Sequence, residues 1–227
     1  MERREFLKGT LYTGVMVSGG DGLFNALLTT NDVKKCEVVK MIGIGGCGIE
    51  VVNVAIKYGL KNVDFITIDT DEACLKQSNA ENKIYVNSYP FCMIDERIFD
   101  DPGLAFGVAQ KMLSSYTDKL MSFISGAEKI FIVAGLGGET GTFMTPVIAA
   151  LAHESGALTT TIVTFPFSLE GIRKHNIAQD CLANMGQSSH KKLDIMHDRF
   201  VNKNETLLEC FARCDQHIVK QIEDSLS

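Results

Sequence analysis

No run of lysine and arginine occurs in this 227-residue chain, and acidic side chains outnumber basic ones by 28 to 22, for a formal net charge of −6. Neutralising nucleic-acid phosphates takes a basic face, so general nucleic-acid binding is excluded. A long apolar run is missing too. The longest stretch free of formal charge is Ser155–Leu169, 15 residues rich in threonine and broken by Pro166. A transmembrane helix needs roughly 20 apolar residues, so none is expected. The seven cysteines (Cys36, Cys47, Cys74, Cys92, Cys181, Cys210, Cys214) are odd in number, irregularly spaced and without CxxC. That argues against a disulfide framework or a zinc site and for free thiols in a reducing cytoplasm. Cys210 and Cys214, one helical turn apart, read as two buried small residues. The five histidines are scattered without metal-ligand spacing. Internal repeats and linkers are also absent. What is present is an ordinary globular composition, 45% hydrophobic and 22% charged, on a chain long enough to bury a core.

The N-terminus disagrees with a cytoplasmic location. Arg3-Arg4-Glu5-Phe6-Leu7-Lys8 matches the twin-arginine export pattern. Against export, the apolar run Leu11–Val17 is short, meets Ser18, Gly19, Gly20 and Asp21, and precedes no small-x-small cleavage site. Residues 1–35 are therefore expected to be an appendage, an amphipathic segment leaning on one domain of residues 36–227, with export the minority reading.

Six short runs rich in β-branched residues recur: Val38–Ile44, Val63–Ile68, Lys83–Val86, Lys129–Val133, Leu158–Thr164 and Leu193–Met196. Most are too apolar for strands with one wet face, as in a parallel sheet covered on both sides. Helical patterns lie between them, over Ile49–Lys57, Glu72–Gln77, Leu104–Ile124, Pro146–Ser155 and Ile172–Met185. This alternation predicts an α/β, doubly wound, mostly parallel sheet with helices on both faces. Thr206–Leu226 is the clearest helix: Thr206 and Glu209 fit a capping box, and Leu207, Leu208, Phe211, Ile218, Val219, Ile222 and Leu226 follow helical spacing.

Chemistry concentrates in two glycine-rich turns. The first strand runs into Gly43-Ile44-Gly45-Gly46-Cys47-Gly48 and then a helix. Glycine lets the backbone turn sharply and approach a phosphate, and amides at a helix N-terminus bind the anion. Read literally this is GxGxxG, with Asp69 about twenty residues on, the dinucleotide fingerprint. A nicotinamide-dependent oxidoreductase is therefore one reading, although no hydride-transfer acid or substrate domain accompanies it. After the fourth strand comes Ala134-Gly135-Leu136-Gly137-Gly138-Glu139-Thr140-Gly141-Thr142. Two such turns can cradle opposite sides of one polyphosphate, and a dinucleotide fold does not require the second.

At this point the sequence resembles the FtsZ/tubulin family of GTP-binding cytoskeletal proteins. Gly137–Thr142 is close to the family's glycine-rich signature, Gly43–Gly48 resembles its first phosphate loop, and Phe65–Asp71 its second-strand exit. Thr164-Phe165-Pro166-Phe167-Ser168-Leu169-Glu170-Gly171 looks like the ribose-contact segment, His197-Asp198-Arg199 resembles Asn-Asp-Arg, and the final helix looks like the long central one. The resemblance runs from about Val38 to Leu226. It implies a cofactor, GTP or GDP with magnesium possible, self-assembly or an FtsZ-like partner, and a place in bacterial cell division. It further implies that backbone amides of Gly45, Gly46, Gly48, Gly137, Gly138, Thr140, Gly141 and Thr142 hold phosphates, within a site that includes Cys47, Asp69, Asp71 and Glu139. Glu170 would accept from ribose hydroxyls beside Lys174, Phe211 would stack on guanine, and Asp215 would accept its N1 and N2 hydrogens. Phe211 and Asp215 are i and i+4, hence on one helix face, and a carboxylate accepting two donors selects guanine over adenine.

The departures set further expectations. Glu139 and Phe143 stand where the signature has glycine, with Glu139 facing either the phosphates or solvent. Ile49 and Glu50 replace small or polar residues of the first loop, and Ser88–Pro102 replaces the turn that embraces the third phosphate. These suggest an alternative: a degenerate interaction module without nucleotide. The chain is also expected to lack the acidic loop that activates hydrolysis in a neighbouring subunit, leaving turnover by this chain alone doubtful.

Overall fold

The structure, a computed structural model, describes residues 37–87 and 102–226. The N-terminal appendage with its arginine pair, and all of the Ser88–Pro102 replacement segment but its last residue, lie outside the described residues. Among the described residues six strands form where six were expected: β1 (Val39–Ile44), β2 (Val63–Asp69), β3 (Asn82–Tyr85), β4 (Lys129–Gly135), β5 (Leu158–Phe165) and β6 (Lys191–Met196). All pair in parallel, in the order β3-β2-β1-β4-β5-β6. Parallel neighbours require crossovers, and helices supply them: α1 (Gly45–Tyr58), α2 (Glu72–Gln77), α3 (Pro102–Leu113), α4 (Thr117–Ile124), α5 (Glu139–Glu154) and α6 (Ile172–Asn184), with α7 (Leu207–Asp224) after β6.

The alternation of side chains along each strand feeds two cores. Ile42 and Ile44 of β1 pack with Leu113, Leu120, Met144 and Ile148 under α3, α4 and α5. Val39 and Met41 face the other way, onto Val51 and Val52 of α1 and Cys214, Ile218 and Ile222 of α7. A smaller cluster of Val163, Phe165, Ala178 and Cys181 seats α6. The sheet is thus doubly wound, and the strand order reverses between β1 and β4, opening a crevice at the carboxyl ends of those strands.

Three helical expectations need correction. Both glycine turns are largely the first turns of helices: α1 begins at Gly45, not Ile49, and α5 at Glu139, not Pro146. Pro146 therefore sits inside α5, where it cannot donate to the Thr142 carbonyl; that oxygen accepts the Cys181 thiol instead, at 3.1 Å. The Leu104–Ile124 helix is broken at Ser114–Tyr116. There Ser114, Ser115 and Thr117 hydroxyls donate to the Lys111, Met112 and Leu113 carbonyls, an alternative the backbone takes over continued helix. In α7 the capping box forms, with Thr206 N donating to Glu209 Oε2 at 2.8 Å and Glu209 N to Thr206 Oγ1 at 3.3 Å. Its buried stripe starts at Cys210 and Cys214, however, while Leu207 and Leu208 are exposed.

Candidate functional site

The crevice at the strand ends encloses about 310 Å³ and is walled by Gly45, Gly46, Cys47, Gly137, Gly138, Glu139, Thr140, Gly141, Glu170, Lys174 and Phe211, all named by the sequence, together with Thr164, Pro166 and His197. That volume is at the lower end for a small-molecule site.

Its floor exists because two helices start almost in contact with their strands. A Cβ on Gly48 would meet the Val133 carbonyl, and one on Gly141 would meet the Gly135 carbonyl, both closer than the 3.0 Å real Cβ atoms keep. Gly45 and Gly137 adopt left-handed backbone, at φ +72° and +89°. The result aims two helix N-termini into one space. The first amides of each helix, Gly45 to Cys47 in α1 and Glu139 to Gly141 in α5, have no partner within their helix. Each terminus also carries about half a positive charge. The arrangement is ready for an anion.

Some expected amide roles are corrected by the bonding. Gly137 N donates to Thr142 Oγ1 at 2.9 Å, and Thr142 N to the Gly138 carbonyl at 3.4 Å, so neither amide is free. Thr142 is buried and buttresses the turn, while Gly48 is packed against β4. Asp69 and Asp71 also stay out of the wall. The Asp69 carboxylate accepts from Thr70 N, Asp71 N and Thr140 Oγ1, which ties the end of β2 to α5. Burial raises its pKa against the lowering effect of those donors. Asp71 caps α2 by accepting from Ala73 N at 2.7 Å. Phe143 is buried in the core with Met144 and Val147, so the lost signature glycine leaves the crevice unaffected. Glu139 is exposed, opens α5 and lies in the wall, so the acid does border the space.

The opposite side is built from the turns after β5 and β6. Glu170 ends a short 3-10 turn, Ser168–Glu170; its Oε1 accepts from Phe167 N at 2.9 Å and its Oε2 from Lys174 Nζ at 3.0 Å. Burial alone would raise the Glu170 carboxyl, but Lys174, the Phe167 amide and His197 together hold it below its usual value. Phe211 is half-exposed, with its ring 5.2 Å from Phe167 and 5.0 Å from His197, both edge-on. Asp215, one turn along α7, is 8% exposed and not in the wall. Burial, and then the Glu50 carboxylate, push its pKa up to about 7. Cys47 shares a 3.4 Å hydrogen bond with Thr164 Oγ1, and burial pushes its thiol up to about 11, so it is an uncharged wall group. No cluster of three or more His, Cys, Asp or Glu able to hold a metal ion occurs among the described residues.

The sequence missed Thr164, Pro166 and His197 as wall residues. The first two sit inside the segment read as a ribose contact, and His197 opens the triplet read as resembling Asn-Asp-Arg, so the segments were noticed but these side chains were not assigned to the site.

Strand order and anion-ready turns define a doubly wound nucleotide-fold domain. Comparison narrows this. The description "Tubulin/FtsZ family, GTPase domain" matches residues 38–212, and the chain belongs to that family. Solved structures agree on the fold. An FtsZ dimer from M. jannaschii, described as empty, is 24% identical with a TM-score of 0.69, covering 88% of this chain and 56% of that one. CetZ2 from Haloferax volcanii, a protofilament with GTPγS, is 22% identical at a TM-score of 0.68, covering 81% and 56%. CetZ1 from the same organism, a GDP-bound monomer, is 18% identical at 0.64, covering 80% and 58%. The chain therefore spans a little over half the length of these proteins. With archaeal CetZ proteins among them, the likeness does not single out bacterial cell division. No described helix is long and apolar enough to cross a membrane.

Proposed function

We propose that this chain binds a guanine nucleotide in the crevice and couples that binding to self-assembly or to an FtsZ-like partner. The observation that supports this most is the convergence of two helix N-termini on one space whose far side offers a carboxylate, a lysine and an aromatic face. Unpartnered amides at Gly45–Cys47 and Gly138–Gly141 would hold the phosphates. Glu170 would accept from ribose hydroxyls, Phe211 would stack on the base and Asp215 would read its N1 and N2 hydrogens. Magnesium would arrive with the phosphates, as it commonly does, and offset Glu139. A nucleotide ligand in turn implies a cytosolic site of action. The neighbouring family members that form a dimer or protofilament motivate the assembly half of the proposal.

Thermal-shift titration with GDP, GTP and NAD tests the nucleotide. Ligand at a hundred times its dissociation constant adds about 2.7 kcal/mol of stability. A rise with NAD and none with guanine nucleotides would overturn the proposal, and mass spectrometry for nucleotide carried through purification checks it independently.

Glu139 motivates the competing picture of a module that has lost its nucleotide, and it supplies a second test. Two charges about 4 Å apart repel by about 1 kcal/mol in bulk water and about 4 kcal/mol at an effective dielectric of 20. Glu139 is exposed, which favours the lower figure. Without magnesium to offset the charge, Glu139→Gln should therefore tighten GTP binding about fivefold by calorimetry, with a small loss of thermal stability as α5 gives up a favourable charge in its first turn. Unchanged GTP affinity would place the carboxylate away from the phosphates.

A further inference from the structure

The glycine turn after β4 leans on α6 in three ways. Leu136 packs in one buried cluster with Ala178 and Cys181 of α6. A Cβ on Gly137 would lie 3.2 Å from the Lys174 carbonyl oxygen, so the turn also touches the first turn of that helix. The third contact is polar: the Cys181 thiol donates to the Thr142 carbonyl at 3.1 Å. The Thr142 hydroxyl reaches the other way and accepts from Gly137 N at 2.9 Å. Thr142 is thus bound to α6 through its backbone and to the anion-ready turn through its side chain.

The Thr142 carbonyl takes an outside donor because of one residue. In an uninterrupted helix its partner would be the amide four residues on, and that residue is Pro146, which has no N–H. Thr142 is 8% exposed, and a buried acceptor left without a donor is unfavourable. The thiol suits the task. Cys181 is buried, and burial pushes its pKa up to about 12, so it keeps the proton it donates. Packing alone would be served as well by an apolar side chain of similar size.

We propose that Cys181 is a positioning residue of the nucleotide site: by holding the Thr142 carbonyl from α6, it keeps the Thr142 hydroxyl on Gly137 N and so fixes the turn whose amides, Gly138 to Gly141, receive the phosphates. This rests on the guanine-nucleotide reading. Cys181 is not in the crevice wall, so it acts through Thr142 and not on the ligand.

The test is a double-mutant cycle read by calorimetry with GDP and with pyrophosphate. Cys181→Val removes the donor and keeps the bulk, and a cavity of about 30 Å³ bordered by Thr142, Pro146 and Cys181 takes the extra methyl. Both ligands should bind about fivefold more weakly, because a buried acceptor has lost its donor. Cys181→Ser, which still donates, should bind them as wild type does. Pro146→Ala restores an amide for the Thr142 carbonyl, so in that background Cys181→Val should change neither affinity. An equal loss in both backgrounds would mean that Cys181 serves by packing, and overturns the assignment. Unchanged affinity in the single variant Cys181→Val overturns it too. Should that variant fail to fold, the pair Pro146→Ala and Cys181→Val decides: it is expected to fold and to bind as Pro146→Ala does, and a second failure to fold overturns the proposal. If wild type binds neither ligand, the broader proposal falls and this one with it; binding by wild type without rescue by Pro146→Ala removes only this one.

Discussion

Asp215→Asn is expected to raise the melting temperature of the ligand-free protein at pH 8 and to weaken GDP binding about a hundredfold. Asp215 is 8% exposed, and its folded-state pKa stands at about 7 against an ordinary 3.8, through burial first and Glu50 second. A raised carboxyl means the folded state holds its proton more tightly than the unfolded chain. Stability is therefore fully present below the unfolded value, and is lost as pH rises from about 4 to about 7. At about 1.4 kcal/mol per unit, the loss is at most about 4 kcal/mol. Asparagine keeps the shape and removes the charge, so the gain should appear at pH 8, about 5 °C or more for a domain of this size, and shrink to about a third of that at pH 5. Binding moves the other way. An ionised carboxylate accepts both guanine donors, whereas asparagine offers one acceptor and an opposing donor, and hydrogen bonds to charged groups are worth about 1.5–3 kcal/mol each. For wild type, GDP affinity should rise with pH up to about 7 and then level off. An equal melting gain at both pH values would refute the burial argument, and wild-type GDP affinity in the variant would refute the base contact.

Gly141→Ala attacks the floor of the crevice. The added Cβ would meet the Gly135 carbonyl oxygen and carbon, which are backbone and cannot swing aside. Overpacking ordinarily costs about 1–3 kcal/mol and occasionally more. With main chain on both sides, about 3 kcal/mol is expected, or roughly 6–12 °C in melting temperature. Moving α5 off β4 also displaces the amides of Glu139–Gly141, so nucleotide affinity should fall at least a hundredfold. Gly46→Ala is the control: nothing lies within 4 Å of its Cβ, so its melting temperature should match wild type. A Gly141→Ala protein with unaltered stability and affinity would show that the close approach is unimportant.

The strands were legible because their signal is physical and local. Buried parallel strands read as β-branched runs, and all six appear within two residues of where the runs lie. Helix starts were less legible. Gly45–Gly48 and Glu139–Thr145 combine glycine, threonine and an approaching proline, which locally argue for loop. They become helix because each segment is clamped onto its strand, and because the thiol of Cys181 serves the carbonyl that Pro146 abandons. Much of the candidate site was visible as residue types, since two glycine turns and an i, i+4 Phe/Asp pair have few other uses together. Which amides stay free was not visible: it depends on Thr142 reaching back to Gly137, a contact between side chain and turn that sequence spacing does not specify. The triplet His197-Asp198-Arg199 was visible as a motif, but not that the ring nitrogens of His197 lack partners, since that is a property of surroundings.

The convergence of α1 and α5 on the crevice has a kinetic consequence. Its attraction for an anion comes from peptide dipoles, effective within about one helical turn, because the charge of Lys174 is already committed to Glu170. At longer range a nucleotide approaches a chain of net charge −6. Salt shortens the reach of that outer repulsion, with a Debye length of about 10 Å at 0.1 M, and does little to contacts already made inside. Association with nucleotide should therefore quicken as salt is added while dissociation stays nearly constant, the reverse of a protein that gathers polyanions with a basic surface.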